Sequence, residues 1–514
     1  MHEIITLQLG SLANHVGTHF WNAQASRDSM RQCCIHIVIF FKEEYFSRST
    51  LKDEIDHQVL YRQGETTSGQ VTYTPRTLIY DLKGGFGSMQ KYNQLFGTDE
   101  DTPILWEQGI DRINRTIPKN KYQQELDRME NEHDSIMDQA VLDDLDLVVH
   151  NWSDYNRIYY HPRSVNPIVT HQMDNDITPF DNYTIGRQAY VENEKEVDIF
   201  EDNFRFFVEE CDRLQGFHLL TDVDDAFGGF TEGLLHHIRD EFAKTPIITF
   251  GMSDSFAPYR TQRHQQKIML NRSLGLTRLA ELSSIYQCGL SPYVQFNEMS
   301  RYHTSAMIAA ALETHSLPYR LKQNSITMAD TVSQLNWVRN TRLAALSVCL
   351  PLPILKTGYT DTLNMLKPNE MKPMLSLLDK VSKEMKKDVY GEVTVARGLL
   401  DNPQDQERYL ESLYADFKDT NDPLQSRFSL DCPLPLPDSY PRLFTSRVNL
   451  DGFIDPRLST ERPQQASVLT HLASGSELKA SIDQHVFNMN SIHINDFWEY
   501  TQGEYDQREI DDFI

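Results

Sequence analysis

Hydrophobic positions fall into short apolar runs separated by amphipathic stretches. Ile4–Leu9 is a strand-length run, followed by Gly10-Ser11 and an amphipathic segment through Trp21, which predicts a strand, a glycine turn and a helix. Gln70–Asp81 (QVTYTPRTLIYD) reads as extended, and its apolar end, Thr77–Tyr80, runs to Asp81 and opens on Lys83-Gly84-Gly85. Asn193–Leu214 carries apolar residues at helical spacing, Val197, Phe200, Phe204 and Phe207. A strand over Gly216–Leu220, a turn, a helix over Thr231–Phe242 and a strand over Pro246–Phe250 follow. Ser305–Leu312 and Thr327–Leu346 read as further helices. This alternation predicts an α/β fold, a mostly parallel sheet flanked by helices, with ligands at the carboxyl ends of the strands.

Beyond Pro351 the alternation fades, and Pro and Asp punctuate residues 402–460. The expected organisation is a domain over 1–330 with an acidic insertion at about 97–200, a divergent α+β part over 331–490, and an acidic tail over 491–514. Within the insertion, Glu125 to Asp146 reads as a solvated helix with an acidic face.

Charge and composition narrow the function classes. The 39% hydrophobic fraction of the 514 residues supports a folded chain, and the net charge of -25 argues against direct nucleic-acid binding. Six cysteines (Cys33, Cys34, Cys211, Cys288, Cys349, Cys432) lack CxxC spacing, which argues against a zinc site or a disulfide framework and suits a reducing compartment. The longest apolar run, Cys33–Phe41, is strand length and far short of a membrane span. The N-terminus MHEIITLQLG has neither the flank of a signal peptide nor an Arg-rich amphipathic pattern. A cytosolic protein that meets any organelle from outside is expected.

Candidate chemistry concentrates in Gly216–Phe242, GFHLLTDVDDAFGGFTEGLLHHIRDEF. A strand, a glycine-bearing turn and a helix can hold a phosphate on backbone N–H groups. Yet Asp222, Asp224 and Asp225 sit in this turn and would repel one. Elsewhere, His236-His237 are adjacent on a helix and point about 100° apart, so they make no metal pair. His133, His161 and His171 are scattered, and no GxSxG, HExxH or Walker sequence occurs.

Several stretches together resemble tubulins. MHEIITLQLGSLANHVGTHFW is similar to the first tubulin strand, turn and helix, with Gly10, Asn14, Gly17, Phe20 and Trp21 in register. TYTPRTLIYDLKGG looks like K-Y-V-P-R-A-x-L-V-D-L-E-P-G, matching at Pro75, Arg76, Asp81, Leu82 and Gly85. Asn151-Trp152 resembles the next loop's N-N-W, and Cys211–Phe217 resembles C-D-x-L-Q-G-F, leading into the counterpart of G-G-G-T-G-S-G. Ile238–Phe242 continues as I-R-E-E-Y. Together with the acidic insertion, NWSDYNRIYYHPRS and ETHSLPYRL, the pattern resembles the Misato family of tubulin-related proteins, in a fungal-type member.

The resemblance implies a tubulin-like nucleotide-binding fold with GTP as the cofactor. The nucleotide positions it carries over are Gly10, Ser11 and Asn14 in the first turn, and Asp81, Lys83, Gly84 and Gly85 in the second. Asn151, Gly228, Gly229 and Thr231 complete them. The glycine loop is one residue short and holds Asp224-Asp225-Ala226-Phe227 in place of glycines, so it is either a worn phosphate loop or a tight structural turn. Two carboxylates near a triphosphate cost roughly 1–3 kcal/mol each at about 5 Å. Lys83 stands where tubulins keep an acid, and Asn297-Glu298 is the nearest counterpart of the base-reading asparagine. Ser333–Asn336 resembles the G-Q-L-N that opens the hydrolysis loop, but Trp337–Arg342 supplies no carboxylate, so no catalytic residue is expected. The resemblance further implies a role in mitochondrial distribution and mitochondrial DNA inheritance, at the outer mitochondrial surface and in the cytoplasm. Protein partners would be cytoskeletal, such as tubulin, with a chaperonin-linked assembly role and a polymerising GTP switch as the alternatives.

Overall fold

The computed structural model describes residues 2–25, 55–65, 71–89, 118–132, 137–173, 175, 177–254, 261–290, 300–338, 340, 342–365, 375–378, 388–400, 403–414, 424–459, 461–493 and 496–501. Cys33–Phe41, His133, Asn297-Glu298 and residues 502–514 lie outside them.

The chain opens with β1 (Glu3–Leu9), buried on both faces, and α1 (Ser11–Ala25). A hairpin, β2 (Tyr61–Glu65) and β3 (Val71–Pro75), leads into β4 (Thr77–Lys83). Two helices of the acidic region, α2 (Lys121–Glu132) and α3 (Gln139–Val148), precede β5 (Val165–Gln172). Then come α4 (Tyr183–Val197), the short α5 (Arg205–Glu209), β6 (Leu214–Asp222), α6 (Phe227–Glu241) and β7 (Ile247–Met252). The order continues with α7 (Gln262–Leu282), β8 (Ile285–Leu290), α8 (Arg301–His315), α9 (Met328–Leu335) and β9 (Leu343–Cys349). The C-terminal part adds α10 (Tyr359–Met365), β10 (Leu375–Ser376), β11 (Val389–Arg397), α11 (Pro403–Tyr414) and β12 (Leu424–Leu430). It closes with the pair β13 (Leu434–Pro435) and β14 (Gln465–Ala466), then β15 (Val468–Gly475), α12 (Glu477–Asn490) and α13 (Trp498–Thr501).

One 11-stranded sheet runs through the molecule in the order β12-β11-β15-β9-β8-β7-β6-β1-β4-β5, with β10 beside β9. Every pairing from β5 through β9 is parallel. From β9 to β15 and β15 to β11 it is antiparallel. Strands from both sides of residue 330 therefore share one sheet. Ile5, Leu7 and Leu9 face α4 and α6, while the other face carries α1 and α8. From Tyr302 to His315, α8 is buried on every side, as befits a helix enclosed by sheet and neighbours. The chain leaves β1 toward β4 and β5, then returns to β6 and continues the other way, so the order reverses between β1 and β6. Their carboxyl ends form the crevice where such sheets hold ligands.

Three boundaries differ from the sequence reading. The helix expected over Thr327–Leu346 ends at Leu335, and Leu343–Cys349 is a central strand. A strand buried on both faces reads as a continuous apolar run, which periodicity cannot tell from a buried helix. The helix expected over Asn193–Leu214 is broken at Asp198, whose φ of 48° ends α4; Phe200, Phe204 and Phe207 are buried, but Val197 is exposed. Finally, α6 begins at Phe227, so Gly228 and Gly229 lie inside the helix.

Candidate functional site

Gly10 ends β1 with φ 105°, a conformation open to glycine, and turns the chain into α1. The first amides of a helix have no partner within it and favour an anion. Here that anion is the protein's own. Asp222, the last residue of β6, accepts from Leu12 N–H through Oδ2 at 2.9 Å and from Ala13 N–H through Oδ1 at 2.7 Å. The fit is close, since a Cβ on Gly10 would stand 2.5 Å from the Asp222 carboxyl carbon. From the sequence, Asp222 is expected to repel a phosphate. The structure makes it the occupant of the helix end.

Asp81, at the carboxyl end of β4, is buried beside this turn. Its Oδ2 accepts from Asn14 Nδ2 at 3.0 Å and from Trp152 Nε1 at 2.9 Å, and its Oδ1 accepts from the Leu82 amide at 2.8 Å. Asn14 also donates to the Tyr80 carbonyl. Burial raises the Asp81 carboxyl above its ordinary range, and the hydrogen bonds from Asn14, Leu82 and Trp152 pull it back. Gly85 packs on it, its missing Cβ leaving room for the carboxylate.

The remaining carboxylates are held by their own partners. Asp225 Oδ1 caps α6 by accepting from Phe227 N–H at 3.0 Å. Asp224 receives Arg272 through both oxygens, at 2.6 and 3.1 Å, and also the Asp254 amide. Arg301 bridges the mouth of the crevice, donating to Asp254 Oδ2 at 3.2 Å and to Ser11 Oγ at 3.1 Å. Asp222 and Asp225 are linked electrostatically. Burial and the charge of Asp225 raise Asp222, Arg301 and the Leu12 and Ala13 amides oppose this by favouring its ionised form, and burial pushes Asp225 up to about 7. Nearby His15 is lowered well below its usual value, first by burial and then by Arg301.

Of the expected site residues, Gly10, Ser11, Asn14, Asp81 and Gly85 gather in this crevice, as do the aspartates of the β6 turn. Lys83, the last residue of β4, and Gly84, in the turn after it, are exposed. Asn151 lies against Gly87, and its amide donates to Asp154 Oδ2. Thr231 points inward, its hydroxyl 2.7 Å from that of Thr221. Gly228 and Gly229 face α4. A Cβ at Gly229 would stand 1.9 Å from the Tyr183 carbonyl oxygen, and one at Gly186, across the contact, 1.7 Å from that of Ala226. Here these glycines serve helix-to-helix approach. A triphosphate does not fit these residues: it would have to displace Asp222 from α1 and settle against Asp81 and Asp225, without a glycine cradle. Among the described residues no group of His, Cys, Asp and Glu is arranged to hold a metal ion. His237 instead meets the Tyr190 hydroxyl at 2.7 Å, and His236 is exposed. Trp152 and Arg301 entered no ligand set from sequence, because their partners lie 71 and 290 residues away.

The sheet, its switch point and the buried helix behind it define an α/β protein of the tubulin class. The family description "Tubulin domain" matches residues 144–321, and "Misato Segment II tubulin-like domain" matches residues 2–34 and 38–128. Protein DML1 of Phaeosphaeria nodorum is 32% identical over 93% of this chain and 92% of its own length. Protein DML1 of Gibberella zeae is 35% identical over 68% of each chain, and Protein misato homolog 1 of Bos taurus is 29% identical over 70% and 67%. The chain belongs to the Misato family of tubulin-related proteins.

Proposed function

We propose that this protein is a tubulin-like scaffold that binds nucleotide weakly or not at all, turns none over, and serves the distribution of mitochondria and the inheritance of mitochondrial DNA. The observation that carries the non-enzymatic half is the Asp222 carboxylate on the first turn of α1, where a ligand's phosphate would otherwise be held. A helix end already neutralised offers an incoming phosphate little gain and adds repulsion from Asp225 and Asp81. The stretch after Asn336, running through Trp337 and Val338, also brings no carboxylate to orient water. Family membership supports the mitochondrial half. The protein works at the outer mitochondrial surface and in the cytoplasm through cytoskeletal partners such as tubulin, with chaperonin as a further partner. No helix of the described residues is long and apolar enough to cross a membrane.

Two measurements test the halves separately. Denaturing the purified protein and chromatographing the released small molecules should yield no stoichiometric guanine nucleotide; a full equivalent of GTP or GDP would replace the scaffold reading with a GTP switch. Depleting the protein in a fungal cell should leave mitochondria clumped and lower mitochondrial DNA retention. Normal distribution and retention would remove the organelle role.

A further inference from the structure

A second candidate surface lies at the opposite, amino-terminal edge of the sheet. A cleft of about 520 Å³ opens where α6, α7 and α9 end and β9 begins, lined among others by Arg239, Lys244, Glu281, Ser284, Asn336 and Arg342. Asn336 shapes it, donating to the Ser284 carbonyl and accepting from the Arg342 amide. Arg239 is held by the carbonyls of Leu282 and Thr245 and by Ser284 Oγ, and Arg342 donates to the Glu281 carbonyl from a backbone with φ 56°. Among the described residues none of Arg239, Lys244 and Arg342 is paired with a carboxylate. Burial and the charge of the neighbouring Arg342 lower Arg239 to about 10. Among its lining residues Arg239, Lys244 and Arg342 outnumber the acid Glu281, which makes this a basic cleft in a chain of net charge -25. Directly after Asn336 come Trp337 and Val338, 54% and 45% exposed, with the indole fixed by its hydrogen bond to the Tyr390 carbonyl. Arginine and a fixed aromatic beside a cleft are the residue types that anchor polypeptides.

We propose that this cleft docks an acidic polypeptide segment with apolar residues at its end, and that its occupant is the chain's own residues 502–514. Their sequence, QGEYDQREIDDFI, sets five acids against one Arg and ends in Ile510, Phe513 and Ile514, the complement of the cations and of Trp337-Val338. The reach is sufficient. The described chain ends in α13, seated on α7 by the Tyr500 hydroxyl donating to Asn271 Oδ1 at 2.7 Å. From Asn271 to the end of α7 at Leu282 is roughly 17 Å along the helix, and thirteen extended residues span about 43 Å. This surface stands independently of the nucleotide crevice.

Zero-length carbodiimide coupling of the full chain, mapped by mass spectrometry, tests it, because an amine and a carboxylate couple only in contact. Lys121 and Asp144, 3.0 Å apart, supply an internal control of the fold. In the monomer fraction, Lys244 should couple to acids of 502–514 about tenfold more often than exposed Lys83 does, as tethering in a shared site demands. The coupling should vanish in ~1 M salt. Arg342→Glu should reduce it severalfold while the Lys121–Asp144 link persists; Trp337→Ser, an exposed change, should also reduce it if the first variant fails to fold. Tail links spread evenly over the lysines, links confined to dimers, or links unmoved by either variant would overturn the proposal.

Discussion

Two turns of the same kind stand side by side in this protein and have opposite fates. Both lead from a parallel strand into a helix, β1 into α1 and β6 into α6. In the first, the amides of Leu12 and Ala13 stay open and are taken by a carboxylate 210 and 209 residues away in sequence. In the second, Asp225, just ahead of α6, accepts from Phe227 N–H, and α4 covers the glycines. Glycine therefore serves the two strand-to-helix units for different reasons. Gly10 turns the chain at positive φ against Asp222, whereas Gly229 lets two helices touch. At each helix start the anion is the protein's own carboxylate, Asp222 for α1 and Asp225 for α6.

The contrast can be broken most severely at α6. Gly229→Val drives a side chain onto the Tyr183 carbonyl, and overpacking against backbone should cost upward of about 3 kcal/mol. Loss of soluble folded protein on expression is the expected result, and a normal urea midpoint would mean that α4 and α6 are not in contact. Next comes Asp222→Ala, which strands two buried amides and should lower the unfolding free energy by about 2–4 kcal/mol. If the end of α1 is an anion site, millimolar phosphate should recover part of that loss in the variant and do nothing to the wild type. Equal phosphate effects on both proteins would count against it.

Asp225→Asn sharpens the comparison through pH. The folded carboxyl is raised to about 7, so between pH 4 and 7 the folded state binds more protons than the unfolded one. The stability this contributes is complete at low pH and is lost as pH rises through 7. The variant keeps a cap for Phe227 N–H but no longer titrates. Its stability relative to wild type should grow by on the order of 2 kcal/mol from pH 4 to pH 8; a difference flat with pH would refute the electrostatic link between Asp225 and Asp222. The smallest effect belongs to Lys83→Ala, which should lie within about 0.5 kcal/mol on thermal unfolding because the side chain is exposed. A larger shift would give Lys83 a place in the crevice.

Much of the framework was legible because it rests on local signals. Ile4–Leu9 with Gly10, Thr77–Tyr80 with Asp81, and the strand from Gly216 all fall within observed strands and turns. Their apolar runs and glycines act over a few residues. The Thr327–Leu346 stretch failed because a strand's identity there depends on β8 and β15 lying on either side. At the crevice, the gathering of Gly10, Asn14 and Asp81 followed from register with tubulin, but the partner of each did not.

By itself, then, the sequence determined the alternation of strands and helices, the family, the excess of acid and the loss of the glycine loop. Each of these is a property of neighbouring residues or of composition. Only the tertiary structure decided what the acids and glycines do. Whether Asp222 repels a phosphate or replaces it depends on the distance from the end of β6 to the first turn of α1, and whether Gly229 cradles a ligand or admits a helix depends on where α4 lies. Both distances are set by the pairing of β1 with β6 and by the packing of α4 on α6, contacts between segments that no local pattern encodes.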